Sequence, residues 1–396
     1  MKIALLLVFA VLAVAKISLM GDPLKIDDGK SAAMFGGKIL LMEITMDDNE
    51  AITKMTAEVV DIKGASVVKE TTVYTADDGT IVGFDIYNGQ FFVFVNDGTY
   101  INGAVFDSKL EKTKMSKLYK FKNAESAFYL GQPSNGVFVF NDIDGTDAIV
   151  VYVDKDGNKV QTITWFTADD EFTPVTILCF ADYATLVYEN SDADIFLRSL
   201  DKDSKKMFDK DVNTKVNDDD NSSQIVLKDK IVFVWSNDDQ SEYYLASWKS
   251  KSGAVVTEKV TVPIIGKDET VNTVTFSADF RLTKIVVGIE VTKDDVDIPY
   301  VMDLDEKGNL GDRVLVPLET PKSTLTIQDV VGELSVFVVQ YSNEDATEMY
   351  VRVGSFGISV LAVIVTLLVI VGIIGGCVWC CCCRGKKTSY KKVEEK

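Results

Sequence analysis

Seven short apolar runs recur along the chain at nearly even spacing. They begin near Ile39, Phe91, Val137, Thr185, Ile231, Ile285 and Val336, 46 to 54 residues apart. Each is rich in Val, Ile, Phe and Tyr, the residue types that suit a pleated, half-buried surface. After each comes an acidic turn, a second such run, a Lys/Asp/Gly turn and a third run, and a further short run precedes each unit. The stretches 136–167 and 230–263 show the pattern most plainly. One small unit cannot bury its own apolar face, so it must stack on the next. Seven four-stranded units at this period point to an all-β fold, a β-propeller of about seven blades. A row of β-sandwiches would need about seven strands per domain and a linker between domains, and no Pro/Ser-rich linker is present. The last unit ends at 348–353, one strand short. Residues 17–26 read as a strand to spare, so the N-terminal strand is expected to close the last blade.

The two ends of the chain set its expected compartment. Residues 1–15 read as a signal peptide: Lys2, an apolar run, then the small-residue site Ala13-Val14-Ala15. Near the other end, residues 355–379 read as a transmembrane helix, whose uncharged run begins at Phe356 and ends at Val378. At 1.5 Å per residue that run covers about 34 Å, against a hydrocarbon core of roughly 30 Å. The tail, 380–396, carries Arg384 and five lysines against two glutamates, which places it in the cytoplasm. Residues 16–354 are then luminal or extracellular, in a single-pass type I protein of the plasma membrane or endomembranes.

Composition excludes several chemistries. Residues 16–354 hold 34 basic and 58 acidic residues, a net charge of −24. Such a surface repels nucleic acid and favours basic or cationic partners. The chain has no histidine, which removes Ser-His and Cys-His nucleophile systems and histidine-bound zinc. Cys179 is the lone cysteine of the exported part, so no disulfide can form within it, and a packed core must hold it together. No cofactor is expected, with calcium as the one candidate.

The units carry no Trp-Asp dipeptide and no sialidase-type Asp box. Only Gly36-Gly37 is similar to the paired glycines of kelch repeats. Cys383-Arg384-Gly385-Lys386 resembles the tail of diplomonad variable surface proteins, whose ectodomains are full of Cys-x-x-Cys. This chain has none in residues 16–354, so no family is assigned.

In a propeller, the turns between second and third strands share one edge with the turns that lead from one unit to the next. The remaining turns share the opposite edge. Sorted this way, the acidic residues gather on the first edge, and the second holds mixed Asp/Lys turns such as Asp154/Lys155/Lys159 and Asp201/Lys205/Lys206. Turn chemistry accounts for aspartate in general but not for lysines on one set of turns alone. The ligand-face candidates are Asp142, Asp144, Asp147, Asp238, Asp239, Asp294 and Asp295, facing a protein or another basic partner. Asp142, Asp144 and Asp147 are also the calcium candidates, although they lack a full EF-hand spacing.

The function read from this is a cell-surface recognition head, receptor- or adhesion-like, rather than an enzyme. One alternative is a membrane-tethered glycoside hydrolase using two close carboxylates among Asp78, Glu125, Asp170 and Glu269. Another is an endomembrane sorting receptor, since Tyr390-Lys-Lys-Val393 resembles the Tyr-x-x-Φ signal read by clathrin adaptors. Asn221-Ser222-Ser223 is a glycosylation sequon. Cys380, Cys381, Cys382 and Cys383 sit at the expected membrane edge as acylation sites. Gly372 and Gly376 form a G-x-x-x-G that would pair two spans in a homodimer.

Overall fold

Each of the seven apolar runs forms the second strand of a hydrogen-bonded sheet. The structure is a computed structural model. It describes residues 15–358 except 28, 88, 121–127, 130, 133–136, 143–146, 154–157, 165–171, 181–182, 191–193, 202, 204, 216–222, 228, 238–239, 279–283, 295, 317–324, 334–335 and 344–347.

The N-terminal strand is β1 (Ala15–Ile26). The first sheet follows with β2 (Lys30–Phe35), β3 (Lys38–Met46), β4 (Ile52–Val60) and β5 (Ser66–Thr75). The second has β6 (Thr80–Tyr87), β7 (Gln90–Asn96), β8 (Tyr100–Phe106) and β9 (Lys112–Lys120). The third has β10 (Phe128–Tyr129), β12 (Val137–Asp142), β13 (Asp147–Val153) and β14 (Lys159–Thr164). The fourth has β15 (Phe172–Cys179), β16 (Tyr183–Asn190), β17 (Asp194–Asp201) and β18 (Lys206–Lys215), with β11 (Gly131–Gln132) added parallel to β15. The fifth has β19 (Ser223–Leu227), β20 (Lys230–Ser236), β21 (Tyr243–Lys249) and β22 (Val255–Val262). The sixth has β23 (Thr270–Ser277), β24 (Lys284–Lys293), β25 (Val296–Asp305) and β26 (Val314–Leu315). The seventh has β27 (Leu325–Glu333), β28 (Val336–Asn343) and β29 (Met349–Ile358), and β1 adds to it as the outermost strand, next to β29.

The second strands read as continuous apolar runs because both of their faces are covered. In β3, Leu40 and Met42 pack with Phe91 and Val93 of the second sheet. Ile39 and Leu41, on the other face, pack with Val338 and Val351 of the seventh. Likewise Val232 and Val234 of β20 face the sixth sheet, and Ile231, Phe233 and Trp235 face the fourth. Contacts of β6 with β10, β12 with β15 and β24 with β27 join the remaining neighbours, so the circuit of sheets is closed. Burying each such side chain is worth roughly 1.5–3 kcal/mol. An all-β propeller needs no disulfide to hold at that rate, and residues 19–355 form one compact unit.

Polar contacts join the packing of Ile26 against Met349 and Val351 at the seam between first and last strands. The Lys25 ammonium donates to Glu348 at 2.6 Å, and Arg352 donates to the Gly21 carbonyl at 2.9 Å. Beside it, the Gln340 amide of β28 satisfies the edge of β2, accepting from Ala32 N–H and donating to the Lys30 carbonyl, both at 2.8 Å.

Two expectations are corrected. The fourth sheet has five strands, not four, because the two residues of β11 join it. The apolar stretch expected to cross a membrane does not begin as a helix at Phe356. Residues 356–358 prolong β29, three residues past its last pair with β28, Ser355 opposite Val336. Among the described residues no helix is long and apolar enough to cross a membrane. The rest of that stretch, the tail, and residues 1–14 of the expected signal peptide lie outside the described residues, and Ala15 opens β1.

Candidate functional site

The antiparallel register fixes which turns share an edge. Turns after each second strand lie at the same edge as the segments entering each first strand, and turns between third and fourth strands lie at the opposite edge. Of the ligand-face candidates, Asp142 ends β12 and pairs in register with Asp147, which opens β13. Asp294 occupies the turn between β24 and β25 with a left-handed φ of 53°. Topology places all three on the first edge, but in two different sheets. Asp144, Asp238, Asp239 and Asp295 lie outside the described residues, as do Asn221, Gly372, Gly376, Cys380, Cys381, Cys382, Cys383, Tyr390 and Val393. The calcium candidate at Asp142–Asp147 is therefore described only at its two ends.

One device builds turns on both edges. Asp305 Oδ1 accepts from the N–H groups of Lys307 and Asn309, both at 2.9 Å, and Gly308 N–H donates to the Asp305 carbonyl. Gly308 takes φ 86°, where a side chain would be strained. Asp61, Asp107 and Asp201 accept from the same two positions of their own turns, and so does Asp47 on the first edge. The N–H groups of Ala51 and Asn49 hold the Asp47 carboxyl below its ordinary value. The Asn102 amide, with the N–H groups of Tyr100 and Thr99, does the same for Asp97. These aspartates are side-chain stand-ins for backbone turn bonds. Replacing Asp305 with alanine should cost about 1 kcal/mol, read as a lower urea midpoint with an unchanged slope.

The edges differ in their lysines. On the second edge each such aspartate has a lysine within its own turn: Asp61/Lys63, Asp107/Lys109, Asp201/Lys205 and Asp305/Lys307. On the first, the Asp47 turn reads Asp-Asp-Asn-Glu and the Asp97 turn Asp-Gly-Thr, with no lysine. Turn geometry demands the aspartate on both edges. It does not demand the lysine on one.

Of the carboxylates proposed for glycoside hydrolysis, Glu269 and Asp78 are engaged elsewhere. Arg313 Nη1 donates to both oxygens of Glu269, at 2.9 and 2.8 Å, and Gly266 N–H donates to Oε2 at 2.6 Å. Burial opposes the charge of Glu269, but these bonds and the charge of Arg313 outweigh it and hold the carboxyl below its ordinary value. A general acid needs the opposite shift. Asp78 belongs to the short turn Ala76–Asp78, where its carboxylate accepts from Thr75 N–H. Glu125 and Asp170 lie outside the described residues.

The acid that departs furthest from ordinary behaviour lies inside a strand. Glu290, in the run Ile285–Val291 of β24, is 3% exposed. Burial pushes its carboxyl up to about 7, Asp297 adds to the rise, and a hydrogen bond from Asn272 opposes it. Its Oε2 has no hydrogen-bond partner among the described residues. The signal was present in the sequence: one carboxylate interrupts a run that is otherwise apolar on both faces.

No protein-family model and no curated sequence matches the chain. Solved structures do. A post-proline cleaving enzyme from Rickettsia typhi is 11% identical, with 88% of this chain and 53% of that chain covered and a TM-score of 0.50. The WD40 domain of Toxoplasma gondii coronin is 10% identical, with 85% of each chain covered and a TM-score of 0.46. The β-propeller domain of the trilobed protease from Pyrococcus furiosus is 9% identical, with 86% and 97% covered and a TM-score of 0.45. The chain spans about half the length of the Rickettsia enzyme. At such identities the likeness is one of fold, the β-propeller already evident in the circuit of sheets.

Proposed function

We propose that this chain is a recognition head, a propeller with each of its seven sheets serving as one blade, which captures a basic protein partner on its acidic edge. The lysine asymmetry carries this reading. Aspartates needed for turn geometry appear on both edges: the four on the second each have a lysine in their own turn, and Asp47 and Asp97 on the first have none, while Lys267 and Lys293 stand beside other acids of that edge. The uncompensated edge then presents a negative field that raises the encounter rate of a cationic partner. The clamp on Glu269 favours binding over hydrolysis. In this reading residues 359–378, twenty uncharged residues, still suffice for a tether, at about 30 Å if helical.

The test uses a lysine-rich peptide as probe against the full chain in detergent. Changing Asp238, Asp239, Asp294 and Asp295 to Asn should slow association about tenfold. Changing Lys155, Lys159, Lys205 and Lys206 to Gln should leave it nearly unchanged. Association should also slow as salt rises, because exposed charges act over about 8–10 Å at physiological ionic strength. Equal effects of the two sets, or no salt dependence, would reduce the asymmetry to turn chemistry.

A further inference from the structure

We propose that the sixth sheet holds a calcium-class divalent cation between Glu290, Thr292, Asp297 and Asn272. Glu290 and Thr292 are two apart in β24 and so share a face. Asp297 of β25 lies opposite Thr292 in register. In β23 the register slips between Val271 and Thr273, leaving Asn272 as a bulge residue. Bulges re-aim side chains, and here the Asn272 amide stands between the two carboxylates. Its Nδ2 is 3.2 Å from Glu290 Oε1 and 2.9 Å from Asp297 Oδ1. Thr292 Oγ1 is 3.0 Å from Asn272 Oδ1 and also contacts Asp297.

Three adjacent strands thus bring two carboxylates, a hydroxyl and an amide together, and a half-turn of the Asn272 amide would set its oxygen, in place of Nδ2, between the carboxylates. Calcium takes six to eight hard oxygens in a flexible shell, with carboxylates binding through one or both oxygens and waters completing the set. The two carboxylates match a divalent charge, and neither has a cationic partner among the described residues. The Glu290 side chain, with its unpartnered Oε2, is the group the rest of the cluster leaves unexplained.

The other sheets show that the fold does not ask for a carboxylate there. The second, fourth and seventh sheets carry the same bulge between their first two strands. Opposite the first residue past the bulge they place Phe94, Val187 and Gln340, where the sixth places Glu290. Two of those are apolar. Gln340 meets the neighbouring strand β2 with both ends of a neutral amide. Only the sixth sheet, of these four, combines an acid at this position with Asn at the bulge and Asp across the turn. This site is separate from the Asp142–Asp147 turn, and its Asp297 stands three residues from Asp294 of the acidic edge.

The experiment is thermal unfolding of the full chain in detergent, with EDTA and then with calcium or magnesium chloride. Calcium in hundredfold excess over its Kd should raise the midpoint by about 5 °C. Magnesium, which demands a tight octahedral shell, should raise it by much less. Glu290→Gln and Asp297→Asn should each abolish the calcium shift, and changing Asp142, Asp144 and Asp147 to Asn should preserve it. Should Glu290→Gln fail to fold, Asp297→Asn, at the end of the strand, decides alone. The proposal is overturned by no shift in the wild type, by a shift that survives in Asp297→Asn, or by an equal shift with magnesium.

Discussion

Arg313→Met should destabilise the propeller by about 2–3 kcal/mol, less than the roughly 3–5 kcal/mol of breaking a fully buried ion pair, because Arg313 is partly exposed. The Glu269 side chain is 7% exposed, against 26% for Arg313. Without the guanidinium, Glu269 keeps only the Gly266 N–H among its present bonds. Arg313 also donates to the Ile264 carbonyl and lies over the Tyr300 ring, so part of the loss is backbone support and packing. The double variant Glu269→Gln/Arg313→Met should recover most of the stability, because no unpaired charge remains. Acid provides a second check. A carboxyl held below its ordinary value stabilises the fold above the unfolded-state pKa, and loses that contribution as pH falls through the folded one. The penalty of Arg313→Met should therefore shrink as pH drops through the carboxylate range. Urea midpoints of the wild type, Arg313→Met and the double variant at two pH values would measure all of this. A penalty as large in the double variant as in Arg313→Met would mean that packing, not charge, explains the loss.

The clamp shows where sequence reasoning stops. Glu269 was a candidate acid because it sits in an acidic turn, and its partner is 44 residues away in sequence. Nothing local pairs them. The fold itself was far more legible. The expected second strands begin within two residues of β3, β7, β12, β16, β20, β24 and β28, because a strand covered on both faces must be apolar at every position. The outermost β1 followed from counting strands. The two-residue strands β11 and β26 left no trace, since two edge residues need no apolar run. The expected helix does not begin at Phe356 for a related reason: Phe356-Gly-Ile358 is equally apolar as strand or helix. Turn aspartates were read as surface charge, whereas Asp47, Asp97, Asp107 and Asp201 build their own turns. Glu290 shows in the sequence only as one acid inside an apolar strand run, away from the turns that hold most of the others.

In a solution free of divalent cations at pH 8, Glu290→Gln should be more stable than the wild type, and at pH 5 that advantage should be nearly gone. The sign follows from linkage. With its folded pKa at about 7 against an ordinary value of 4.5, the folded protein binds more protons than the unfolded chain between those limits. Wild-type stability from this group is therefore full at low pH and falls as pH rises through the folded pKa. The whole penalty is about 3 kcal/mol at most, since one pKa unit corresponds to about 1.36 kcal/mol. Glutamine keeps the oxygen that accepts from Asn272 but introduces an amide donor, and a donor left unsatisfied costs about 1 kcal/mol. The expected net gain at pH 8 is about 2 kcal/mol. Charges beside Glu290 do not reverse this, because Asp297 across the turn is acidic and Asn272 from β23 is neutral. Urea unfolding of both proteins at pH 5, 6, 7 and 8 would show the curves separating as pH rises. Parallel curves would mean that Glu290 does not titrate in this range, and that its carboxyl finds in the folded protein all the solvation it has in the unfolded chain.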